Sequence, residues 1–282
     1  MTDWKAALGP FGVWQSGRTF DTDLAPELEK LGYTALWLGS QAGDLEVVEQ
    51  ILDATESIVV ATGIVSILTV QPRTLAESYQ RVVEAHPGRF LLGIGVGHPE
   101  RAPEKEWKPF TAIEAFLDGL DAGGVPESER VLAALGPRVV RLSGERSVGA
   151  HPYLVTPEHT REARAILGAG PLLAPEQRVV LRADAAEARA VGRPSVVTPY
   201  LGLANYRASL RRLGYTEEDL AGEGSDRLID DLVVSGDPDS VVAGLRRHHE
   251  EGADHVVVQV IPGDGDDLLA AYASIAKAAG LG

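Results

Sequence analysis

The sequence predicts an α/β fold, and within that class a (β/α)8 TIM barrel. Short apolar runs and amphipathic helices alternate along the chain of 282 residues, which is the pattern of repeated βα units. The apolar runs do not alternate with polar residues, as is typical of parallel strands that helices cover. About eight such runs can be counted, and eight βα units close a barrel. Fewer strands would leave an open doubly wound sheet, which is the alternative architecture.

The helix–strand unit is clearest near the C-terminus, in GDPDSVVAGLRRHHEEGADHVVVQVI. Asp237 can cap a helix there, Gly252 ends it, and an apolar run follows. The predicted strands, all short and mostly apolar, cover residues 12–15, 35–38, 58–66, 90–94, 131–135, 150–154, 173–181 and 255–261. Helices are predicted between them, for example from Thr74 to the stop at Pro87 and Gly88.

One long region departs from this rhythm. Residues 183–236 show helical periodicity and lie between the seventh strand and the last predicted unit. Long connections in compact domains are usually functional, and on a barrel this one would cover the C-terminal face. We interpret it as a helical lid inserted into a single domain of residues 1–282. A helical decoration or a subunit interface is the alternative interpretation.

The composition excludes several classes of function. A net charge of −15 repels phosphate backbones and anionic lipid, so we expect no nucleic-acid or membrane partner. The chain has no cysteine, which excludes disulfides and thiolate metal sites. It contains no HExxH, GxSxG or GxxxxGK[ST] motif, so zinc, hydrolase and kinase chemistry have no support. No signal-peptide pattern is present at the N-terminus, and we expect a cytoplasmic protein with a small-molecule substrate.

Barrel active sites lie at the C-terminal ends of the strands, and this rule selects candidate residues. The richest strand end is GIGVGHP, where Gly93, Gly95 and Gly97 precede His98. Glycines let backbone N–H groups approach an anion or a flat ring without interference from a Cβ. Close packing of a barrel strand is the alternative reason for such a run.

Histidine and tryptophan provide further candidates. His98 and His151 end strands, whereas His86, His159, His248 and His249 are expected on the surface. Trp14, Trp37 and Trp107 could wall a pocket for a flat cofactor. Trp37 lies within a strand, which is more typical of a core residue than of a site residue.

Several segments, taken in order, resemble the luciferase-like monooxygenase family. ESIVVATGIVSILTVQPRTLAE and HPGRFLLGIGVGHP resemble the third and fourth barrel strands of that family. VLAALGPRVVRLSGERSVGAHPYLVTPEHT, PLLAPEQ and GDPDSVVAGLRRHHEEGADHVVVQV continue the match over nearly the whole chain. The likeness is greatest to the branch that depends on coenzyme F420, a 5-deazaflavin.

The resemblance implies a cofactor ring at the C-terminal mouth of the barrel. The third strand of the family carries a bulge with a non-prolyl cis peptide behind the ring, which matches Gly63-Ile64 here. The turns after strands four and five help to hold the phosphate-bearing tail. The positions that match cofactor contacts are Ser40, Gly63, Ile64, Ser66, Gly95, Val96, Gly97, Arg101, Leu135 and Gly136.

The sequence departs from the sugar-phosphate dehydrogenases of the family at the positions of their Asp-His pair and a glutamate. Ser40, Gln41 and His98 stand at these positions. We take Gln41 and His98 as candidate catalytic residues, of which only His98 can transfer a proton near neutral pH. Reductases of the family work without the pair, because the protein mainly orients the cofactor and an activated double bond.

These features favour an oxidoreductase that transfers a hydride between coenzyme F420 and a small organic substrate. An FMN-dependent monooxygenase or reductase, and a cofactor- or ligand-binding barrel without turnover, are the alternatives. Arg73, Arg101 and Arg138 follow strands three, four and five and could pair with the acidic tail of F420. The family resemblance also implies a homodimer.

Overall fold

The computed structural model describes residues 2–97 and 108–282, which form strands and helices in close alternation. The strands of these ranges are β1 Phe11–Ser16, β2 Ala35–Gly39, β3 Val59–Thr62, β4 Val65–Ser66, β5 Phe90–Gly95, β6 Arg130–Leu132, β7 Gly149–Ala150, β8 Leu172–Leu173, β9 Glu176–Val180, β10 Val233–Ser235 and β11 Val256–Val260. The helices are α1 Trp4–Leu8, α2 Leu24–Lys30, α3 Glu46–Ala54, α4 Pro72–Ala85, α5 Pro109–Ala122, α6 Pro137–Arg146, α7 Pro157–Leu167, α8 Ala185–Val197, α9 Ala204–Arg212, α10 Asp226–Leu232, α11 Pro238–Glu250 and α12 Leu268–Ala279.

All strand pairs in the sheet are parallel, and the sheet closes on itself through β8 and β9. β8 pairs with β7, whereas β9 pairs with β11, and only Ala174 and Pro175 separate β8 from β9. The Ala174 N–H donates to the Ala150 carbonyl, and the Val257 N–H donates to the Pro175 carbonyl. The two ends of the sheet are therefore one continuous piece of chain. The predicted barrel is confirmed and the open doubly wound sheet is excluded.

Two apolar layers lie on the two sides of the sheet. One cluster combines side chains from strands all around the barrel, and it therefore fills the barrel interior. Its members are Trp4, Leu8, Ala35, Trp37, Val59, Ala61, Leu91, Val131, Leu172, Ala174 and Val257. The alternate residues of the same strands, such as Leu36, Leu38 and Val60, pack outward against the helices. Because side chains alternate along a strand, any further residue in phase with the interior set also points into the barrel.

The segment between β9 and α11 is folded, and its own apolar cluster holds it together. This helical insertion, residues 185–235, contains α8, α9, α10 and β10. The prediction of a helical insertion after the seventh strand is confirmed, but its end at 233–235 is a strand and not a helix. β10 pairs with residues 178–180 of β9. The short β7 does not extend as far as these residues, and without β10 their backbone groups would have no partners on that side.

Other strand boundaries differ from the prediction for local reasons. The predicted strand 58–66 is interrupted between β3 and β4 at Gly63-Ile64, and the predicted strand 150–154 ends at Ala150. Leu154 has a φ of 54°, which no strand can accommodate. In the part of the chain that the structure describes, no helix is long and apolar enough to cross a membrane.

Candidate active site at the barrel mouth

The C-terminal mouth of the barrel has one side that is lined by glycine. Gly39, Gly63 and Gly95 are in phase with the interior residues of β2, β3 and β5. A Cβ at Gly39 would lie 2.1 Å from the Trp14 ring, and a Cβ at Gly95 would lie 2.7 Å from the Ala133 Cβ. The missing side chains therefore allow neighbouring groups to approach the backbone closely, and this side of the mouth is flat.

The Gly63-Ile64 peptide lies in the middle of this flat side and is cis, so the cis bond predicted there is confirmed. The Trp14 indole N–H donates to the Gly63 carbonyl at 3.2 Å. The Gln41 N–H donates to the Ile64 carbonyl at 3.2 Å. Gln41 is buried, and its amide fills the space that Gly17 leaves open. The residues Gln41, Gly63 and Ile64 thus form one continuous surface.

The turn after β5 completes this surface. The Ser66 hydroxyl donates to the Val96 carbonyl at 3.1 Å and accepts from the Leu68 N–H at 3.3 Å. Gly97 has a φ of 72°, and a Cβ there would lie 2.8 Å from the Ser66 hydroxyl. Ser66 therefore positions the turn through its hydroxyl, and Gly97 is required by both its backbone conformation and its surroundings.

The N-terminus of α6 opens next to this turn. Gly136 precedes the helix, no side chain caps it, and no atom lies within 4 Å of the place where a Cβ would stand. Pro137 has no N–H, and the Val139 and Val140 N–H groups donate to the Gly136 carbonyl, so the Arg138 N–H is the donor of the first turn that remains available for an anion. The Leu135 carbonyl is not available, because it accepts from His159 Nε2 at 2.8 Å. Arg138, in the first turn of α6, lies over the Phe110 ring.

Some of the predicted site residues do not join this surface. Ser40 is exposed and has a φ of 55°. Arg73 is exposed and pairs with Glu77 on its own helix. His98, Arg101 and Trp107 lie outside the described residues.

The opposite side of the mouth is polar. His151, in phase with the interior residue of β7, stacks on Trp37 at 4.3 Å and is buried. Its Nδ1 donates to the Ala174 carbonyl at 2.7 Å, so the neutral ring carries its lone pair on Nε2. Nε2 has no hydrogen-bond partner, and it points at Gly63, where a Cβ would lie 2.9 Å away. Burial lowers the pKa of His151 to about 4, and the ring is therefore a neutral acceptor.

Glu176 and Arg178 add two buried charged groups to the polar side. Both are in phase with Ala174, an interior residue, and both are almost completely inaccessible. Glu176 Oε2 accepts from the Leu154 N–H at 2.8 Å, and this bond holds the loop that carries Tyr153. The Arg178 guanidinium donates from Nη1 to the Ser195 carbonyl and from Nη2 to the Tyr153 hydroxyl. Glu176 Oε1 and Arg178 Nε are 3.8 Å apart, and neither has a hydrogen-bond partner among the residues that the structure describes.

The environment of this pair alters its protonation. Burial raises the pKa of Glu176 to about 7, against the opposing effects of Arg178 and of the Leu154 hydrogen bond. Burial also raises the pKa of Tyr153 well above its ordinary value. Glutamate with a near-neutral pKa can hold or release a proton under ordinary conditions, so the polar side contains a group suited to proton transfer.

Tyrosines of the helical insertion cover the polar side. The Tyr200 ring lies 4.8 Å from the Arg178 Cζ and 5.6 Å from the Tyr153 ring. Tyr206, on α9, packs against Tyr200 at 4.8 Å. The Tyr153 hydroxyl donates to Gln259 Oε1 at 2.8 Å, at the end of β11. The insertion therefore covers the polar side with aromatic rings.

The sequence analysis missed Glu176 and Arg178 because it treated 173–181 as an ordinary apolar strand. Two charged residues spaced by two in a buried strand fall on the same face, and charged side chains are rarely buried unless they are paired or functional. That spacing of two charged residues was the signal in the sequence.

A cavity of about 230 Å³ lies away from these residues. It is lined by Ile67, Leu68, Pro72, Ala112, Ala115 and Phe116, most of which are apolar.

Two expectations for surface histidines are wrong. His248 is completely buried between α7 and β9, where it bonds to Thr160 and Gln177. His159 is buried and donates to the Leu135 carbonyl. Both lie on helix faces that pack on the barrel, and a histidine with a hydrogen-bond partner can be buried there. Trp37 is a core residue, as expected from its position in a strand.

The chain is thus a closed parallel barrel with a glycine-lined mouth and a helical insertion after its seventh strand. The model of the luciferase-like monooxygenase family matches residues 17–110, which confirms the resemblance seen in the sequence. Among curated sequences, none matches the chain significantly.

Several solved structures superimpose on nearly the entire chain. An F420-dependent secondary alcohol dehydrogenase aligns with a TM-score of 0.74 and 13% identity over 96% of this chain and 98% of its own. The coenzyme F420-dependent tetrahydromethanopterin reductase of Methanopyrus kandleri aligns with a TM-score of 0.67 and 19% identity over 95% and 97%. The FMN-bound oxygenating constituent of 3,6-diketocamphane monooxygenase from Pseudomonas putida aligns with a TM-score of 0.67 and 15% identity over 95% and 96%. These matches show that the chain shares the fold of these structures.

Proposed function

We propose that this protein is an oxidoreductase that transfers a hydride between the deazaflavin coenzyme F420 and a small organic substrate. The observation that carries the proposal is the two-sided mouth, in which a flat glycine-lined surface faces a polar wall. A flat tricyclic ring fits against backbone that lacks side chains, and a reacting substrate needs polar groups on its other side. The resemblance of the sequence to F420-dependent enzymes supports the choice of cofactor.

The residues present fit such a cofactor. Ile64 and Gly95 would lie behind the ring, and the turn that Ser66 holds at Gly97 would contact the tail. The open N-terminus of α6 at Gly136 would bind a phosphate through the Arg138 N–H and the positive end of the helix dipole. When bound, the deazaflavin supplies the hydride.

The charge of the tail favours F420 over FMN. F420 extends beyond its phosphate into a chain of carboxylates, and the overall charge of −15 opposes binding of such an anion. Positively charged side chains near the site must therefore offset the repulsion between the acidic protein and the carboxylates of the tail. Arg138 stands at the first turn of α6, on the side of the barrel where the mouth lies, and is exposed.

Titration of the purified chain with coenzyme F420 and with FMN at equal salt tests the proposal. We expect tighter binding of F420, with an affinity that decreases as salt increases, because the tail is bound by charge. Charge reversal in an Arg138→Glu variant should weaken the binding of F420 more than the binding of FMN. Arg247→Glu, on the exposed face of α11, is the matched control. Equal or tighter FMN binding would move the assignment to a flavin-dependent enzyme. Binding of neither would favour a barrel without turnover.

A further inference from the structure

The polar side of the mouth contains two adjacent hydrogen-bonding atoms that the fold itself does not use. Every other polar atom of these two side chains has a partner: Glu176 Oε2 accepts from Leu154, and both terminal nitrogens of Arg178 donate. Glu176 Oε1 and Arg178 Nε lie 3.8 Å apart, and within residues 2–97 and 108–282 neither has a hydrogen-bond partner. Buried polar atoms are rarely left unpaired, and a pair of them at one place indicates a missing ligand group.

The spacing fits a single oxygen atom. Two donors that each approach one oxygen at about 2.9 Å stand roughly 4 Å apart when the oxygen lies between them. Arg178 Nε is a donor, and Glu176 Oε1 is a donor when the carboxyl group is protonated. A site with two such donors stabilises negative charge that develops on an oxygen during a reaction.

We propose that Glu176 and Arg178 together bind the carbonyl oxygen of the substrate, and that Glu176 supplies the proton that accompanies the hydride. This inference rests on the proposed function, and it narrows the substrate to an α,β-unsaturated carbonyl compound. The β-carbon of the substrate would accept the hydride that a bound deazaflavin supplies, and the electrons of the double bond would move towards the oxygen that Glu176 and Arg178 hold. The oxygen takes the proton of Glu176, and the resulting enol converts to the saturated carbonyl product.

The charges around Glu176 suit this role. Arg178 lies beside it on β9, Tyr153 follows β7, Tyr206 belongs to the helical insertion and Tyr272 lies on α12. Of these groups only Arg178 is charged near neutral pH. Before the reaction, the neutral acid leaves Arg178 free to attract the substrate oxygen. After proton transfer, the Glu176 carboxylate and Arg178 form an ion pair, which favours the transfer.

The Glu176→Gln variant tests the proposal, because an amide keeps the hydrogen bond to Leu154 but has no proton to give. Glu129→Gln is the matched control. Burial raises the pKa of Glu129 as well, but it directly precedes β6 and therefore lies at the opposite end of the barrel. Coenzyme F420 should bind all three proteins equally, because Glu176 serves the substrate and not the cofactor.

Reduction of 2-cyclohexen-1-one by the F420-loaded proteins is the first measurement. We expect kcat to fall about 100-fold in Glu176→Gln with little change in KM. Wild-type activity should decline above pH 7 as Glu176 loses its proton, and this decline should be absent from the variant. Equal rates and pH profiles in wild type and Glu176→Gln would overturn the proposal, as would a wild type that binds F420 but does not reduce the probe.

A measurement without cofactor separates this inference from the proposed function. Carbon-13 NMR of glutamate carboxyl groups in the wild type should show a resonance that titrates near pH 7 and is missing from Glu176→Gln. That result would stand even if F420 failed to bind, which would refute the proposed function alone. The resonance that Glu176→Gln lacks identifies Glu176 in the wild-type spectrum. If that wild-type resonance titrates in the ordinary range of glutamate, Glu176 is not the proton donor.

Discussion

The Trp37 indole N–H donates to His255 Nε2 at 3.1 Å in the barrel interior. His255 Nδ1 in turn bonds to the Gly9 carbonyl at 2.8 Å, so Nδ1 carries the hydrogen and Nε2 accepts. A doubly protonated ring could not accept from Trp37. The arrangement therefore requires a neutral His255, and burial lowers its pKa to about 3.

Replacing Trp37 by phenylalanine should destabilise the protein and release His255. The loss of the donor leaves a buried acceptor unpaired, which costs about 1–3 kcal/mol in addition to the effect of the smaller ring. Urea unfolding measures the loss, and NMR titration of the histidines should show a higher pKa for His255. Trp4→Phe, which removes the bond from Trp4 to the Ser128 carbonyl, is the control. Unchanged titration of His255 in Trp37→Phe would contradict the prediction.

A second buried histidine connects the barrel to its surrounding helices. Gln177 Nε2 donates to the carbonyls of Arg178 and Leu232, so its Oε1 faces His248 and accepts from Nε2. His248 Nδ1 then accepts from the Thr160 hydroxyl at 2.7 Å. Every hydrogen in this chain has a defined direction, and His248 is neutral.

We expect the buried histidines to make the protein sensitive to acid. Burial lowers the pKa values of His151, His248 and His255 to between about 3 and 4, below the ordinary 6.5 of the unfolded chain. The unfolded state therefore binds protons that the folded state does not, and stability is present above pH 6.5 and is lost as the pH falls below it. Each histidine contributes a slope of about 1.4 kcal/mol per pH unit.

His248→Gln should reduce the dependence of the unfolding free energy on pH by the contribution of one histidine, about 1.4 kcal/mol per pH unit. Thr160→Val is the control: it removes a hydrogen bond but no titrating group, and should lower stability by about 1–3 kcal/mol without changing the slope. Urea unfolding at several values between pH 4.5 and 6 measures both effects. An unaltered slope in His248→Gln would show that His248 is protonated in the folded state.

Glu176 should have the opposite effect on stability. Its pKa rises from 4.5 to about 7 in the folded protein, so its contribution is fully present below pH 4.5 and is lost as the pH rises towards 7. The loss amounts to about 3 kcal/mol for a buried group. Unfolding free energies of wild type and Glu176→Gln, measured from pH 4.5 to 8, should differ increasingly in favour of the variant. A constant difference would mean that Glu176 titrates alike in both states.

Gly136→Ala tests the anion site at α6 without disturbing the fold. Gly136 has a φ of −88°, and a Cβ there would contact nothing, so stability should change by no more than about 0.5 kcal/mol. The methyl group would nevertheless keep a phosphate away from the Arg138 N–H, and we expect roughly tenfold weaker F420 binding. Gly202→Ala, where a Cβ also meets no atom within 4 Å, is the matched control. Full affinity in Gly136→Ala would exclude this helix end as the phosphate site.

The fold could be predicted because most strands bury both faces, and such strands are mainly apolar. The strand ends that form the flat side of the mouth followed from the positions of Gly63, Gly95 and Gly97. Glu176 and Arg178 could not be placed in this way, since their meaning depends on the neighbours that tertiary structure brings to them. His248 was placed wrongly because a helix pattern does not show that a polar residue will find Gln177 on a strand 71 positions away.

The helical insertion has an apolar cluster that is separate from those of the barrel. Its members include Val196, Leu210, Leu228 and Ile229, and it meets the barrel through only a few residues such as Val180. Substitutions within this cluster need no repacking of the strands or of their surrounding helices. The segment that covers the polar side of the mouth can therefore diverge during evolution while the barrel stays the same. Homologous proteins should vary most in this segment, and insertions exchanged between them should carry substrate preference with them.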